Sequence, residues 1–166
     1  MKLFVNLLTT SRIILAFFIF GLIMQSNGYA LAFFLFMFAG FTDFLDGYLA
    51  RKYNLQSVIG EILDPIADKI LIVFILFALA INLSSYIVGF FASLIISREI
   101  LVSALRDYNS RNNNTSATKV TFLAKFKTTS QIFTISLYLF ALAINSMLLL
   151  IISDLFLAIS TIITLY

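Results

Sequence analysis

Residues 29–51 read YALAFFLFMFAGFTDFLDGYLAR. The run opens with fourteen uncharged, mostly apolar residues, then carries Asp43 and Asp46 before ending on Arg51. As a helix rising ~1.5 Å per residue it is long enough to cross the ~30 Å hydrocarbon core of a bilayer. It lacks the period-two alternation of an outer-membrane barrel strand. Working outward, comparable stretches occupy residues 7–25, 58–81, 86–106, 121–144 and 148–165, separated by polar breaks. The whole chain of 166 residues is 61% hydrophobic and 11% charged, a composition that cannot close into a water-soluble globule. The reading predicts an all-α polytopic membrane protein. It is a single domain over residues 1–166, a six-transmembrane-helix bundle with a cytoplasm-facing polar cavity.

Charge divides the two ends of the bundle. The breaks at residues 25–28, 82–85 and 145–146 carry none. Lys2, Arg12, Arg51, Lys52, Arg106, Arg111, Lys119, Lys125 and Lys127 lie in or beside the termini and loops of the other side, with Lys69 and Arg98 in helix halves facing it. By the positive-inside rule that side is cytoplasmic. The net charge of +3 arises from this rim, where basic residues meet anionic lipid headgroups. It indicates no nucleic-acid partner. The Asn- and Ser-rich segment 108–118 is expected to be the one long connector. Arg12 interrupts the first apolar run and no small-residue cleavage site follows, so the first helix is expected to be retained.

The chain has no cysteine and no histidine. Thiolate nucleophiles, cysteine-ligated zinc and imidazole bases are therefore excluded, and acid–base chemistry falls to carboxylates or lysine. Four of the eight acidic residues, Asp43, Asp46, Asp64 and Asp68, sit inside the second and third spans. An ionised carboxylate at that depth costs at least ~2.5 kcal/mol, so such groups face a bundle interior and have a partner. Measured from Arg51, Asp46 lies about 8 Å and Asp43 about 12 Å deep; measured from Val58, Asp64 lies about 9 Å and Asp68 about 15 Å deep. Each set keeps to one helical face, and residues 52–57 form a short turn, which predicts an antiparallel hairpin with converging acidic faces. Carboxylates without imidazole or thiolate suit hard divalent ions, and four of them suit two Mg²⁺ or Mn²⁺ ions. Gly47, Ala50 and Gly60 on these faces leave room for a ligand or equally for close helix packing. At this point a proton relay, an ion pathway, or pairing of the aspartates with Arg51, Lys52 and Lys69 remain open.

The spacing shifts the balance. Asp43, Asp46, Gly47, Ala50, Arg51, Gly60, Asp64 and Asp68 fall at the intervals of the CDP-alcohol phosphatidyltransferase signature, and the chain resembles that family. At ~5% per residue type, such a coincidence has a probability on the order of 10⁻¹⁰ per starting point. The resemblance implies a six-helix membrane enzyme that binds a CDP-linked lipid through its diphosphate and two metal ions. An acceptor hydroxyl attacks the phosphorus bearing the lipid, and CMP leaves. It further implies Asp43, Asp46, Asp64 and Asp68 as metal ligands, with Asp68 also taking the acceptor's proton. Asp43, Gly47, Ala50, Arg51 and Gly60 would bind the CDP group.

Residues 6–12 (NLLTTSR), 98–106 (REILVSALR) and 125–128 (KFKT) are similar to the branch of the family that uses sn-glycerol 3-phosphate as acceptor. Ala124 departs from the glycine expected there, and no proline precedes Asn6. For a phosphorylated acceptor, Arg98, Arg106, Lys125 and Lys127 can line the cytoplasmic mouth. Glu99 reads as a residue that orients or neutralises a neighbouring cation, outside the site itself. Other acceptors would be serine, an inositol phosphate or phosphatidylglycerol. In a different class, the aspartates would serve a cation or proton transporter, but no carboxylate ladder continues through the outer half. CDP-diacylglycerol, glycerol 3-phosphate and membrane lipids are the expected partners. A homodimer is expected by resemblance alone. The expected location is a bacterial cytoplasmic membrane, with the active site facing the cytoplasm.

Overall fold

The computed structural model describes the backbone of residues 2–52, 58–111 and 122–165, and the side chains of residues 10–43, 45, 63, 66–105, 108–109 and 126–165. Six helices, α1 (Lys2–Met24), α2 (Tyr29–Lys52), α3 (Val58–Asn82), α4 (Tyr86–Arg111), α5 (Phe122–Ala143) and α6 (Met147–Leu165), account for it, with no strand among the described residues. Two boundaries differ from expectation by more than one residue. α1 starts at Lys2 rather than near residue 7, and α4 continues to Arg111, into the segment read as a connector. Hydropathy marks where the bilayer ends, whereas a helix continues into water for as long as its backbone bonds can be made. Residues 112–118 of that segment, and 53–57 of the turn between the second and third spans, lie outside the described residues.

The three uncharged breaks are tight turns, each built on a residue in the left-handed region: Ser26 (φ 58°), Ser84 (φ 48°) and Asn145 (φ 53°). At the second and third turns, Ser85 N–H donates to Ala80 O and Ser84 N–H to Ile81 O, while Ser146 N–H donates to Ala141 O and Asn145 N–H to Leu142 O. These are paired helix-terminating bonds that satisfy otherwise orphaned carbonyls. Ser85 and Ser146 then cap the following helices by accepting from Val88 N–H and Leu149 N–H. Asn82 fastens this end: its Nδ2 donates to Ile23 O at 2.9 Å, and its Oδ1 accepts from Tyr29 Oη at 2.9 Å.

The helices close a ring in the order α1, α2, α5, α6, α4, α3, with α3 and α5 also touching across it. The predicted hairpin packing is corrected here. Among the described residues α2 and α3 do not pack on each other; α1 and α5 each touch both. Two faces bearing like charge are better accommodated with a cationic helix between them than in direct contact.

Large apolar side chains such as Ile14, Phe34, Phe41 and Ile162 point outward, while Arg12, Lys127, Gln131 and Thr134 are buried. That distribution reverses the one a water-soluble protein shows. Two segments, Tyr86–Leu105 and Met147–Leu165, are long and apolar enough to cross a bilayer unaided, and shorter apolar stretches occupy Thr10–Met24 and Tyr29–Asp43. The molecule is an all-α membrane protein.

Candidate active site

Arg12 lies on the inward stripe of α1, followed at helical spacing by buried Ala16, Ile19 and Ile23. The stripe carries its guanidinium into the bundle rather than to the rim. Its Nη1 donates to Asp43 Oδ1 on α2 and to Asp68 Oδ1 on α3, each at 2.5 Å. The Arg12 side chain is 1% exposed, those of Asp43 and Asp68 44% and 42%. The cation is sealed behind two carboxylates that open outward. Leaving a buried guanidinium unpaired costs several kcal/mol, so the two acids fix its place as much as it fixes theirs. An arginine suits the position because its fork can donate in more than one direction while staying charged.

These three residues border a small cleft of about 50 Å³. Its walls come from Ala39 and Gly40 of α2, Leu71 and Ile72 of α3, and Thr128 and Ile132 of α5. A Cβ at Gly40 would meet nothing within 4 Å. The floor is therefore polar, the walls apolar, and one wall carries no side chain. That arrangement suits a ligand with a charged head and a hydrocarbon body.

A second charged group joins α3, α4 and α5. Lys127 Nζ donates to Glu99 Oε1, and Arg98 Nη1 stands 3.6 Å from the same oxygen. Lys69 donates to Ser103 Oγ on α4. Lys127 belongs to the buried set although it carries a charge.

Of the residues expected from the sequence, the structure brings Asp43 and Asp68 together at one cation and places Arg98 beside Lys127 through Glu99. Asp46, Gly47, Ala50 and Arg51 fall on α2, Gly60 and Asp64 on α3, Arg106 on α4 and Lys125 on α5, but their side chains lie outside the described residues. Among the described residues no group of three or more carboxylates gathers as a metal centre. Sequence reasoning missed Arg12 as part of the site. The signal was present, because a charge inside an apolar run, in register with Ala16, Ile19 and Ile23, points inward. Of the basic pairing partners considered for the aspartates, Lys69 instead meets Ser103.

The model of the CDP-alcohol phosphatidyltransferase family matches residues 2–166, essentially the whole chain. The chain belongs to this family. Three relatives sharpen the comparison, each named CDP-diacylglycerol--glycerol-3-phosphate 3-phosphatidyltransferase. The Haemophilus influenzae protein is 40% identical over 97 residues, covering 58% of this chain and 52% of that one. The Escherichia coli K12 protein is 36% identical over 129 residues, covering 76% of this chain and 70% of its own, and a Shigella flexneri protein matches to the same extent. The alignment thus spans about half of the Haemophilus relative. As a CDP-alcohol phosphatidyltransferase the chain is an enzyme, and the acid-floored cleft among α1, α2, α3 and α5 is its candidate active site.

Proposed function

We propose that this enzyme transfers the phosphatidyl group of CDP-diacylglycerol to sn-glycerol 3-phosphate, forming phosphatidylglycerophosphate and CMP. The observation that carries the reading is the convergence of Asp43 and Asp68 on one point at the floor of the cleft, within a chain matched end to end by the family model. The names of its relatives supply the acceptor.

The donor set fits a hard divalent cation. Both oxygens lie 2.5 Å from a single nitrogen, hence no farther apart than twice that distance, and both are carboxylate oxygens in a chain without cysteine or histidine. In this reading Asp43, Asp46, Asp64 and Asp68 would hold two Mg²⁺ or Mn²⁺ ions. Such ions neutralise charge on the diphosphate and on the departing CMP.

The protein's own residues do the rest. Asp43, Gly47, Ala50, Arg51 and Gly60 receive the CDP group, and Arg98, Arg106, Lys125 and Lys127 receive the phosphate of the acceptor. The acceptor hydroxyl oxygen forms a bond to the phosphorus bearing diacylglycerol as the bond from that phosphorus to the CMP oxygen breaks, and the hydroxyl proton passes to the Asp68 carboxylate. Arg12 keeps Asp68 aimed at the cleft. The enzyme acts as a homodimer in a bacterial cytoplasmic membrane, with this end of the bundle facing the cytoplasm, where basic residues concentrate.

The test is CMP release by the purified protein from CDP-diacylglycerol with Mg²⁺ or Mn²⁺, across a panel of acceptors, with the lipid product read by mass spectrometry. Glycerol 3-phosphate should outcompete serine, inositol phosphate and phosphatidylglycerol. A preference for any of the others overturns the acceptor.

A further inference from the structure

Glu99 of α4 and Lys127 of α5 meet across helices that are not neighbours in the ring. Among the described residues the backbones of α4 and α5 do not approach closely, yet Lys127 Nζ reaches Glu99 Oε1, and Arg98 Nη1 stands 3.6 Å from the same oxygen. Nearby, Lys69 of α3 donates to Ser103 Oγ, one helical turn along α4 from Glu99. Two cations thus share one carboxylate, leaving positive charge in excess at a depth where uncompensated charge is costly. The neighbourhood is partly open, with the side chains of Glu99 and Arg98 19% and 22% exposed. A direct strap between packed helices would need no such opening.

A carboxylate and a phosphate monoester are the same kind of ligand to an ammonium and a guanidinium. Both accept short, charge-assisted hydrogen bonds, and the phosphate brings more oxygens and more charge. We propose that Glu99 is an internal stand-in for the acceptor's phosphate. It holds Lys127 and Arg98 in place while the site is empty and releases them by exchange when a phosphate monoester arrives. Because the incoming anion must displace a resident one, Glu99 sets a threshold. A dianionic phosphate crosses it, while monoanions and neutral alcohols gain too little. Glu99 is therefore a specificity-determining residue that acts through Lys127 and Arg98. This inference rests on the reading of those two residues as acceptor-phosphate ligands.

The experiment is calorimetric titration of the detergent-solubilised full chain with inorganic phosphate, alongside steady-state kinetics. Glu99→Gln should bind inorganic phosphate about tenfold tighter than wild type, because the competing charge is gone. It should also lower KM for glycerol 3-phosphate while leaving KM for CDP-diacylglycerol unchanged. Lys127→Gln should lose phosphate binding. If Glu99→Gln binds phosphate no tighter than wild type, or if both KM values rise together, Glu99 is a structural brace and the exchange is wrong. Should Glu99→Gln fail to elute as a monodisperse species, Glu99→Asp decides: it keeps the charge but retracts it by one methylene, so tighter phosphate binding supports the exchange and equal or weaker binding overturns it. The titration needs no turnover. A wild type that releases no CMP with glycerol 3-phosphate, beside a Glu99→Gln protein that gains phosphate affinity, would sink the proposed acceptor and leave the exchange standing.

Discussion

Arg12 of α1 donates Nη1 to Oδ1 of Asp68 on α3 at 2.5 Å, joining residues 56 apart in the chain. The same nitrogen bonds Asp43 of α2, so one guanidinium links the three helices that carry the N-terminal half of the enzyme. It also decides how two like charges coexist in a membrane protein: each acid is compensated from behind, and each keeps an open side for chemistry.

Removing that guanidinium should disturb both fold and reaction. Arg12→Met should lower stability by about 1–3 kcal/mol, less than the ~3–5 kcal/mol of a fully buried pair because the acids are open to the cleft. It should lower kcat about 100-fold through misplacement of Asp68. Arg12→Lys should recover much of the thermal midpoint and little of the activity, since an ammonium lacks the fork that serves two acids. Thermal unfolding in detergent, paired with CMP release, separates the two effects.

Asp68→Asn keeps the shape of the side chain and its capacity to accept from Arg12 while losing its basicity. CMP release should fall by about 10²–10⁴-fold with a thermal midpoint close to wild type. Chelation with EDTA should abolish turnover in wild type, and added Mg²⁺ or Mn²⁺ should restore it. Turnover that survives exhaustive chelation would contradict the metal-ligand reading of these acids.

The basic cluster should act on the acceptor and not on the lipid donor. Arg98→Gln should raise KM for glycerol 3-phosphate about tenfold, the size of a lost charge-assisted hydrogen bond, with KM for CDP-diacylglycerol unchanged. An equal rise in both constants would place Arg98 in the scaffold.

Gly40 offers a test of the cleft that leaves the packing alone. A Cβ there meets nothing within 4 Å, so Gly40→Ala should fold and turn over as wild type does. Gly40→Phe should fill the space beside Asp43 and abolish turnover while the protein still elutes as a monodisperse species. Retained activity in the phenylalanine variant would show that the substrate runs elsewhere.

Asn82 is a control at the opposite end. It joins the turn between α1 and α2 to the end of α3, so Asn82→Ala should cost about 1–3 kcal/mol of stability. Its KM values should be those of wild type. A selective change in either would reveal coupling between the two ends.

The residues that were legible in advance share a physical character. Asp43 and Asp68 stood out because bilayer burial makes any carboxylate conspicuous, and their depths counted from Arg51 and Val58 placed them at comparable levels. Arg12 has the same cost but reads as part of the rim, since a count along the chain says how deep a residue lies and nothing of what it faces. The end of α4 is hidden from the sequence for a related reason: residues 109–111 are polar, and polarity marks the water boundary rather than the end of helical hydrogen bonding.

By itself the sequence determined the number of helices, the charged end of the bundle and the acidic register on α2 and α3. Each of these follows from a repeat along one dimension, the helical turn or the bilayer thickness, that composition must obey. Only the tertiary structure decided that α1 and α5 stand where α2 and α3 were expected to meet, that Arg12 joins the two acids, and that Glu99 reaches Lys127 across 28 residues. Helix neighbours in a bilayer are chosen by the packing and charge balance of the whole ring. No local repeat records that choice.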